Sequence, residues 1–228
     1  TNFTMNTIEL SSALSNRKQN PFSFWHKDTE DQDDKLHAST RLKQDFLKLG
    51  IQPSFSFRKN DSIFTMGSCF ARRLENTWHK KGIDVPTHKG MIENRSLFKT
   101  SISFNKYNTY SMLYELQWAL NEEGFSDEQS FIQVSESKFM DLQLVPGDFN
   151  PADYDSLLAR KKTIFSLSKH VIKAKVITLT LGLIEVWYDN KTERHLNMVP
   201  DIKTAIKEKG RFELRLLNVD ENVANLES

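Results

Sequence analysis

Cysteine is nearly absent from this chain: Cys69 is its only one. No internal disulfide can form, so the core does not depend on an oxidising compartment. Glycine is also scarce. The eight glycines are dispersed, which leaves no Gly-rich loop able to cradle a phosphate. Neither sign of charge dominates, since 31 Lys and Arg face 30 Asp and Glu for a net +1. Such a balance removes the electrostatic case for nucleic acid or an anionic membrane as partner. No apolar run approaches the ~18 residues needed to span a bilayer. The chain begins at Thr1, and no basic segment followed by a short apolar block marks a signal peptide. No His, Cys, Asp and Glu cluster has metal-ligand spacing, so no metal and no cofactor are expected.

What is present fits a polar globular protein. Of the 228 residues 38% are hydrophobic and 27% charged, with a mean hydropathy of −0.54. That length suits one large domain, or one domain with an extended arm. We read residues 1–50 as the arm and 51–228 as the domain. In the arm, the aromatic cluster from Asn20 to Trp25 is expected to tuck onto a surface, and Asp28 to Asp34 to form a solvated loop. The spacing of Leu42, Phe46, Leu47 and Leu49 predicts a short amphipathic helix over 39–49, closed by Gly50.

The domain alternates strands and helices. Pro53 to Arg58 alternates like a strand, and Ser62 to Met66 reads as the first core strand. Gly67 breaks that strand into a helix running to about Lys81, with Ala71, Leu74 and Trp78 on one face. Ile83 to Pro86 reads as extended, and the polar stretch from Thr87 to Asn105 as a long loop over the site. A helix is predicted over Ser111–Glu122, stopped near Gly124. One or two strands follow between Phe131 and Val145, with a turn near Ser135-Glu136-Ser137 and another at Pro146-Gly147-Asp148. Asp153 or Asp155 caps a long helix to Lys173. Val176–Leu181 is continuous and β-branched, so we expect it centrally in a parallel sheet. Trp187 to Thr192 opens a hairpin that returns through His195, Phe212–Leu216 forms another strand, and Asn218 or Asp220 starts a last helix. Under βαβ logic a further strand is expected beyond Ser228.

The turn after the first strand carries the chemistry. A strand that breaks at Gly67 into a helix sets its turn residues at the C-terminal edge of a sheet, where open α/β sheets bind ligands. Backbone N–H groups and the helix dipole there would stabilise a thiolate and a developing oxyanion. Cys69 is then either a nucleophile or a small buried packing residue. Ser68 is the rival nucleophile, or simply a helix cap. Glu185 orients another side chain or is solvated at a strand end. His88 could reach the site from its loop or lie on the surface, while His79 and His170 read as surface residues. Trp187 and Tyr188 either stack on a sugar ring or pack in the core.

Gly67-Ser68-Cys69-Phe70-Ala71 resembles the signature of the GSCFA family, which looks like a branch of the SGNH/GDSL hydrolases. Asn108 and Tyr110 match a following Asn-x-Tyr, although Tyr107 stands where the pattern has Gly. Phe139 to Pro146 resembles the strand before the long helix. Leu179 to Trp187 resembles the second signature, with Ile184 where Thr is common. The likeness covers roughly Pro53 to Ser228. It implies a three-layer α/β/α, flavodoxin-like SGNH-type fold around a parallel central sheet, with its C-terminal part beyond Ser228. The SGNH nucleophile position falls on Cys69, with Ser68 beside it. Its Gly-x-Asn-Asp donor falls on Gly182 to Glu185, where Ile184 has no side-chain donor. Gly67, Asn108, Gly182 and Glu185 are then the oxyanion and substrate-binding set. The SGNH base sits on a late Asp-x-x-His, expected beyond Ser228; Asp34-Lys35-Leu36-His37 has that spelling but precedes the nucleophile. The resemblance implies an ester hydrolase or O-acyltransferase acting on a saccharide or another polar ester, in a bacterial, cytoplasmic, cell-surface-polysaccharide setting. Against it stands a non-catalytic module of the same fold that binds a glycan or a partner.

Overall fold

The computed structural model describes residues 8–20, 22, 37–46, 53–98, 100–121, 124–145, 150–200 and 202–228. The chain divides into two compact units, Thr1–Ser56 and Phe57–Ser228. In the first, α1 (Leu10–Gln19) buries no residue and is capped by Glu9, whose carboxylate accepts from the Ser12 N–H at 3.1 Å. Helix α2 (Ala38–Arg41) is a single turn, shorter than the helix expected over 39–49. Leu42 and Phe46 of that expected stripe are exposed, so no burial extends the helix. Residues 47–50, most of the aromatic cluster and the acidic stretch lie outside the described residues.

The second unit is a mixed α/β structure built on a parallel strand pair. Strand β1 (Ile63–Gly67) is buried along its whole length. The expected strand over Pro53–Arg58 does not form. Alternation favours extended backbone, but a strand needs a ladder partner, and the Ile63 N–H that starts β1 is already bonded to Asp84 O. After α3 (Cys69–Lys80) the chain makes α4 (Pro86–Glu93), where a loop was expected. Pro86 sits in the first turn, where its missing N–H costs nothing. Met91 packs with Phe98, Phe104, Leu144, Ile164 and Leu167, so this polar-looking stretch has one apolar side. A 3₁₀ turn (Ser101–Phe104) leads to α5 (Thr109–Leu120).

After α6 (Asp127–Ser130), β2 (Phe131–Ser135) and β3 (Lys138–Asp141) form an antiparallel hairpin with its turn where expected. Helix α7 (Tyr154–Ser168) starts at Asp153, whose carboxylate accepts from the Ser156 N–H at 2.9 Å, and passes into a 3₁₀ stretch to Lys173. Strand β4 (Val176–Thr180) then pairs in parallel with β1, with Phe64 opposite Ile177 and Gly67 opposite Thr180. This register brings Gly67 and Gly182 to the same edge of the pair. Strands β5 (Glu185–Asp189), β6 (Arg194–Leu196) and β7 (Phe212–Leu216) make a separate antiparallel sheet in the order β6-β5-β7. Helix α8 (Ile202–Lys207) lies between β6 and β7 in sequence, and α9 (Val219–Glu227) opens on a capping box of Asn218 and Glu221.

Strand β4 is not central. Among the described residues it pairs with β1 alone, and Ile177, Leu179 and Leu181 are exposed. Its β-branched run is what a strand covered on both faces looks like, but the later strands pair among themselves instead of extending it. An exposed apolar strand with an open ladder is a template for association. Replacing Ile177 and Leu179 with Lys is expected to lower light scattering by concentrated protein while leaving the circular dichroism spectrum unchanged. Undiminished scattering would locate the sticky surface elsewhere.

Candidate active site

The end of β1 is built for a tight turn. Gly67 has φ +143°, a region closed to most L side chains, and a Cβ there would lie 2.0 Å from Thr180 Oγ1. The same Thr180 hydroxyl accepts from the Ser68 N–H at 3.2 Å, so β4 fixes the turn directly. Ser68 caps α3, its Oγ accepting from the Phe70 N–H at 3.3 Å. Cys69 is the first residue of α3 and is exposed. That placement overturns the reading of Cys69 as buried packing. The first-turn N–H groups of Cys69 and Ala71 have no acceptor within the helix, so the thiol stands beside potential donors. One turn on, the buried Arg72 donates to Thr65 O at 3.1 Å and lies 3.0 Å from Glu75. Burial pushes the Glu75 carboxyl up and the Arg72 guanidinium down; Thr87 donates to Glu75 at 2.6 Å. Arg72 thus ties the start of α3 to β1, and Glu75 ties it to α4.

The segment Asn105–Asn108 joins this turn to the second motif. Lys106 N–H donates to Gly67 O at 2.9 Å, and Leu183 N–H to Tyr107 O at 2.8 Å. Gly182 passes so close that a Cβ would lie 3.0 Å from Tyr107 O. Asn197 threads the segment: its Oδ1 accepts from Tyr107 N–H at 2.9 Å, and its Nδ2 donates to Asn105 O at 2.8 Å. Lys106 is almost wholly buried; its Nζ donates to Gln143 O at 3.1 Å and lies 2.6 Å from the Glu115 carboxylate. Glu115 also accepts from Ser168 Oγ at 2.9 Å.

The sequence-derived residues thus fall into two groups. Gly67, Ser68 and Cys69 form the first turn. Gly182 and Glu185 belong to the second, Gly182 against Tyr107, and Glu185 exposed at the start of β5. Asn108 is buried and its side chain is engaged at both ends: Oδ1 caps α5 through Ser111 N–H at 2.9 Å, and Nδ2 donates to Leu196 O at 3.0 Å. It holds the segment in place. A cavity of about 290 Å³ opens beside the second turn, lined by Tyr107, Asn108, Leu183, Glu185, Trp187 and Leu214 among others. Trp187 is half-buried there, against the cluster of Ile132, Met140, Leu142 and Leu196. His88 lies on α4, its ring centroid 4.7 Å from that of His79. Burial, then His79 and Arg72, hold its imidazole below the usual value. His79 and His170 are exposed.

Sequence reasoning passed over Thr180, Lys106, Asn197 and His195. Only Thr180 had a signal, as one of two threonines in the run before Gly182. His195 is buried, stacked on Tyr110 with centroids 3.7 Å apart and edge-on to Tyr188. Its Nδ1 has no hydrogen-bond partner among the described residues. Burial first, then Arg215, push the imidazole down to about 4, with Glu221 opposing. The unfolded value is about 6.5, so the native state holds a neutral ring that the unfolded chain protonates first. Stability is therefore full above about pH 6.5 and falls as pH drops toward 4, by on the order of 2 kcal/mol at pH 5. Urea unfolding at pH 7.5 and pH 5 should show this loss, and His195→Phe, which keeps the stacking, should shrink it. An unchanged pH slope in that variant would assign the loss to other groups.

Among the described residues, no group of three or more His, Cys, Asp or Glu is placed to hold a metal ion, and no helix is long and apolar enough to cross a membrane. Comparison with curated proteins and with solved structures returns no match. The GSCFA family model matches residues 62–228, which include both turns and the segment that ties them. This chain belongs to the GSCFA family.

Proposed function

We propose that the protein is an SGNH-like acyl-ester hydrolase or O-acyltransferase with Cys69 as nucleophile. The observation that carries this reading is the exposed thiol at the start of α3, directly after β1 and beside a turn held by Thr180. In the reaction the Cys69 thiolate attacks the ester carbonyl carbon, forming a C–S bond. The carbonyl electrons collect on oxygen, facing the first-turn N–H groups of α3. Collapse breaks the bond to the leaving oxygen, which takes a proton and departs as the alcohol. Water or a sugar hydroxyl then attacks the thioester, giving up its proton and returning Cys69.

The thiol proton needs a general base. The SGNH pattern carries it on a late Asp-x-x-His, which in these 228 residues occurs only ahead of the nucleophile. Asn108 supports the site by position, since its amide already donates to Leu196 O. Ser68 is occupied as the α3 cap, which favours Cys69 over it as nucleophile. In this reading the parallel pair belongs to a three-layer SGNH-type sheet, residues 51–228 form the catalytic domain, and the setting is cytoplasmic.

The direct test is capture of the acyl-enzyme. Brief incubation with an activated acetyl ester should add one acetyl group to the intact mass. The adduct should be released by hydroxylamine and be missing in Cys69→Ala. The same adduct in the Ala variant would exclude Cys69. A second reading, a glycan- or partner-binding module, is favoured by Ile184, which is exposed and offers no side-chain donor where SGNH hydrolases place Asn. Absence of any adduct or turnover would leave that module.

A further inference from the structure

The cavity beside the second turn points to the kind of acyl group. Its apolar walls are Leu183, Trp187, Leu196, Met198, Val199 and Leu214. Three of these, Leu183, Val199 and Leu214, are 53%, 43% and 54% exposed, an apolar mouth that water wets at a cost. The two amides in the wall are spent. Asn197 serves Tyr107 N–H and Asn105 O, and Asn108 serves Ser111 N–H and Leu196 O. The Tyr107 hydroxyl accepts from Asn105 Nδ2 at 3.1 Å. Glu185, at the start of β5, adds a single carboxylate to the lining. A sugar ring would bring several hydroxyls into this space and lose their water with one free carboxylate to replace it. An aliphatic chain loses nothing polar and covers the exposed leucines.

Resting on the acyl-transfer reading above, we infer that this cavity receives the acyl part of the substrate, an unbranched aliphatic chain, while any saccharide stays outside it. Its volume of about 290 Å³ holds about ten groups of water size. A chain of roughly six to eight carbons fits with its carboxyl end toward the Leu183 turn. Leu183 N–H bonds Tyr107 O, which in turn adjoins Lys106, bonded to Gly67 O. Two consecutive residues, Lys106 and Tyr107, therefore tie the turn at Gly67 to the Leu183 turn at the rim of the cavity.

The experiment is a chain-length series of nitrophenyl esters from acetyl to decanoyl, with kcat/KM measured for wild type, Leu214→Trp and Val199→Trp. Both variants enlarge exposed side chains outside the nucleophile turn and fill the cavity. Wild type should gain about fourfold per added methylene up to about eight carbons. Both variants should flatten that rise, read as the ratio of kcat/KM for the octanoyl ester to that for the acetyl ester. A flat wild-type profile, or a rise that survives both substitutions, would overturn the inference while leaving the acyl-transfer reading intact. If no ester is turned over, that reading fails, and octanoate binding still decides the cavity. Trp187 lines it, so saturable fluorescence quenching by octanoate but not by acetate supports an aliphatic site; no quenching rejects it.

Discussion

Cys69→Ala is expected to abolish turnover of small activated esters, by about a thousandfold or more in kcat, because removing one member of a nucleophile–base pair removes the whole pathway. The loss should come without a change in unfolding midpoint, since Cys69 is exposed. Cys69→Ser should keep a trace of activity, with a hydroxyl in the right place that needs a stronger base. Ser68→Ala should act differently. It removes the α3 cap, costing about 1 kcal/mol of stability, and lowers turnover only as far as the turn loosens. Steady-state kinetics and urea unfolding on the three variants separate these outcomes. Equal turnover by wild type and Cys69→Ala would move the nucleophile to Ser68. Silence of both variants alongside an inactive wild type would favour the binding module.

Lys106→Met is expected to be the most destabilising single change near the site. The Lys106 ammonium and the Glu115 carboxylate are both buried, 2.6 Å apart. Losing the cation leaves Glu115 with Ser168 Oγ as its remaining partner and strands a buried charge, a defect that typically costs roughly 3–5 kcal/mol. The consequence should reach the site, because the same residue's N–H is bonded to Gly67 O and its neighbour Tyr107 to Leu183. The double variant Lys106→Met, Glu115→Leu should recover much of the stability, since two apolar groups need no pairing. Urea unfolding of the two single variants and the double would measure the coupling. Additive losses in the double would show that the pair is not a unit.

Much of the local architecture was legible in the sequence for reasons that act within a few residues. The β-branched run Val176–Thr180 and the apolar run into Gly67 announce strands. Asp153 and Asn218, each one of two candidate caps, start their helices because a short side-chain oxygen can reach an N–H two or three residues on, and both do. The turn from Gly67 to Cys69 is legible because Gly67 is needed where φ is +143°. The errors lie where a second segment decides. Pro53–Arg58 has strand alternation but no ladder partner, and Thr87–Asn105 reads as a polar loop until Met91, Phe98 and Phe104 find Ile164 and Leu167.

What the sequence by itself determined is the strands β1 and β4, the helices α3, α5 and α7, the two glycine turns and the cysteine between strand and helix. Each follows from backbone sterics and apolar periodicity over short spans. Only the tertiary structure decided that Asn108 is a structural clamp, that β4 has an open edge, and that Lys106, Glu115 and Asn197 hold the two turns together. Those facts depend on contacts such as Tyr107 with Asn197, 90 residues apart. Burial and pairing of polar groups are properties of two segments at once, and no local pattern in either one encodes its partner.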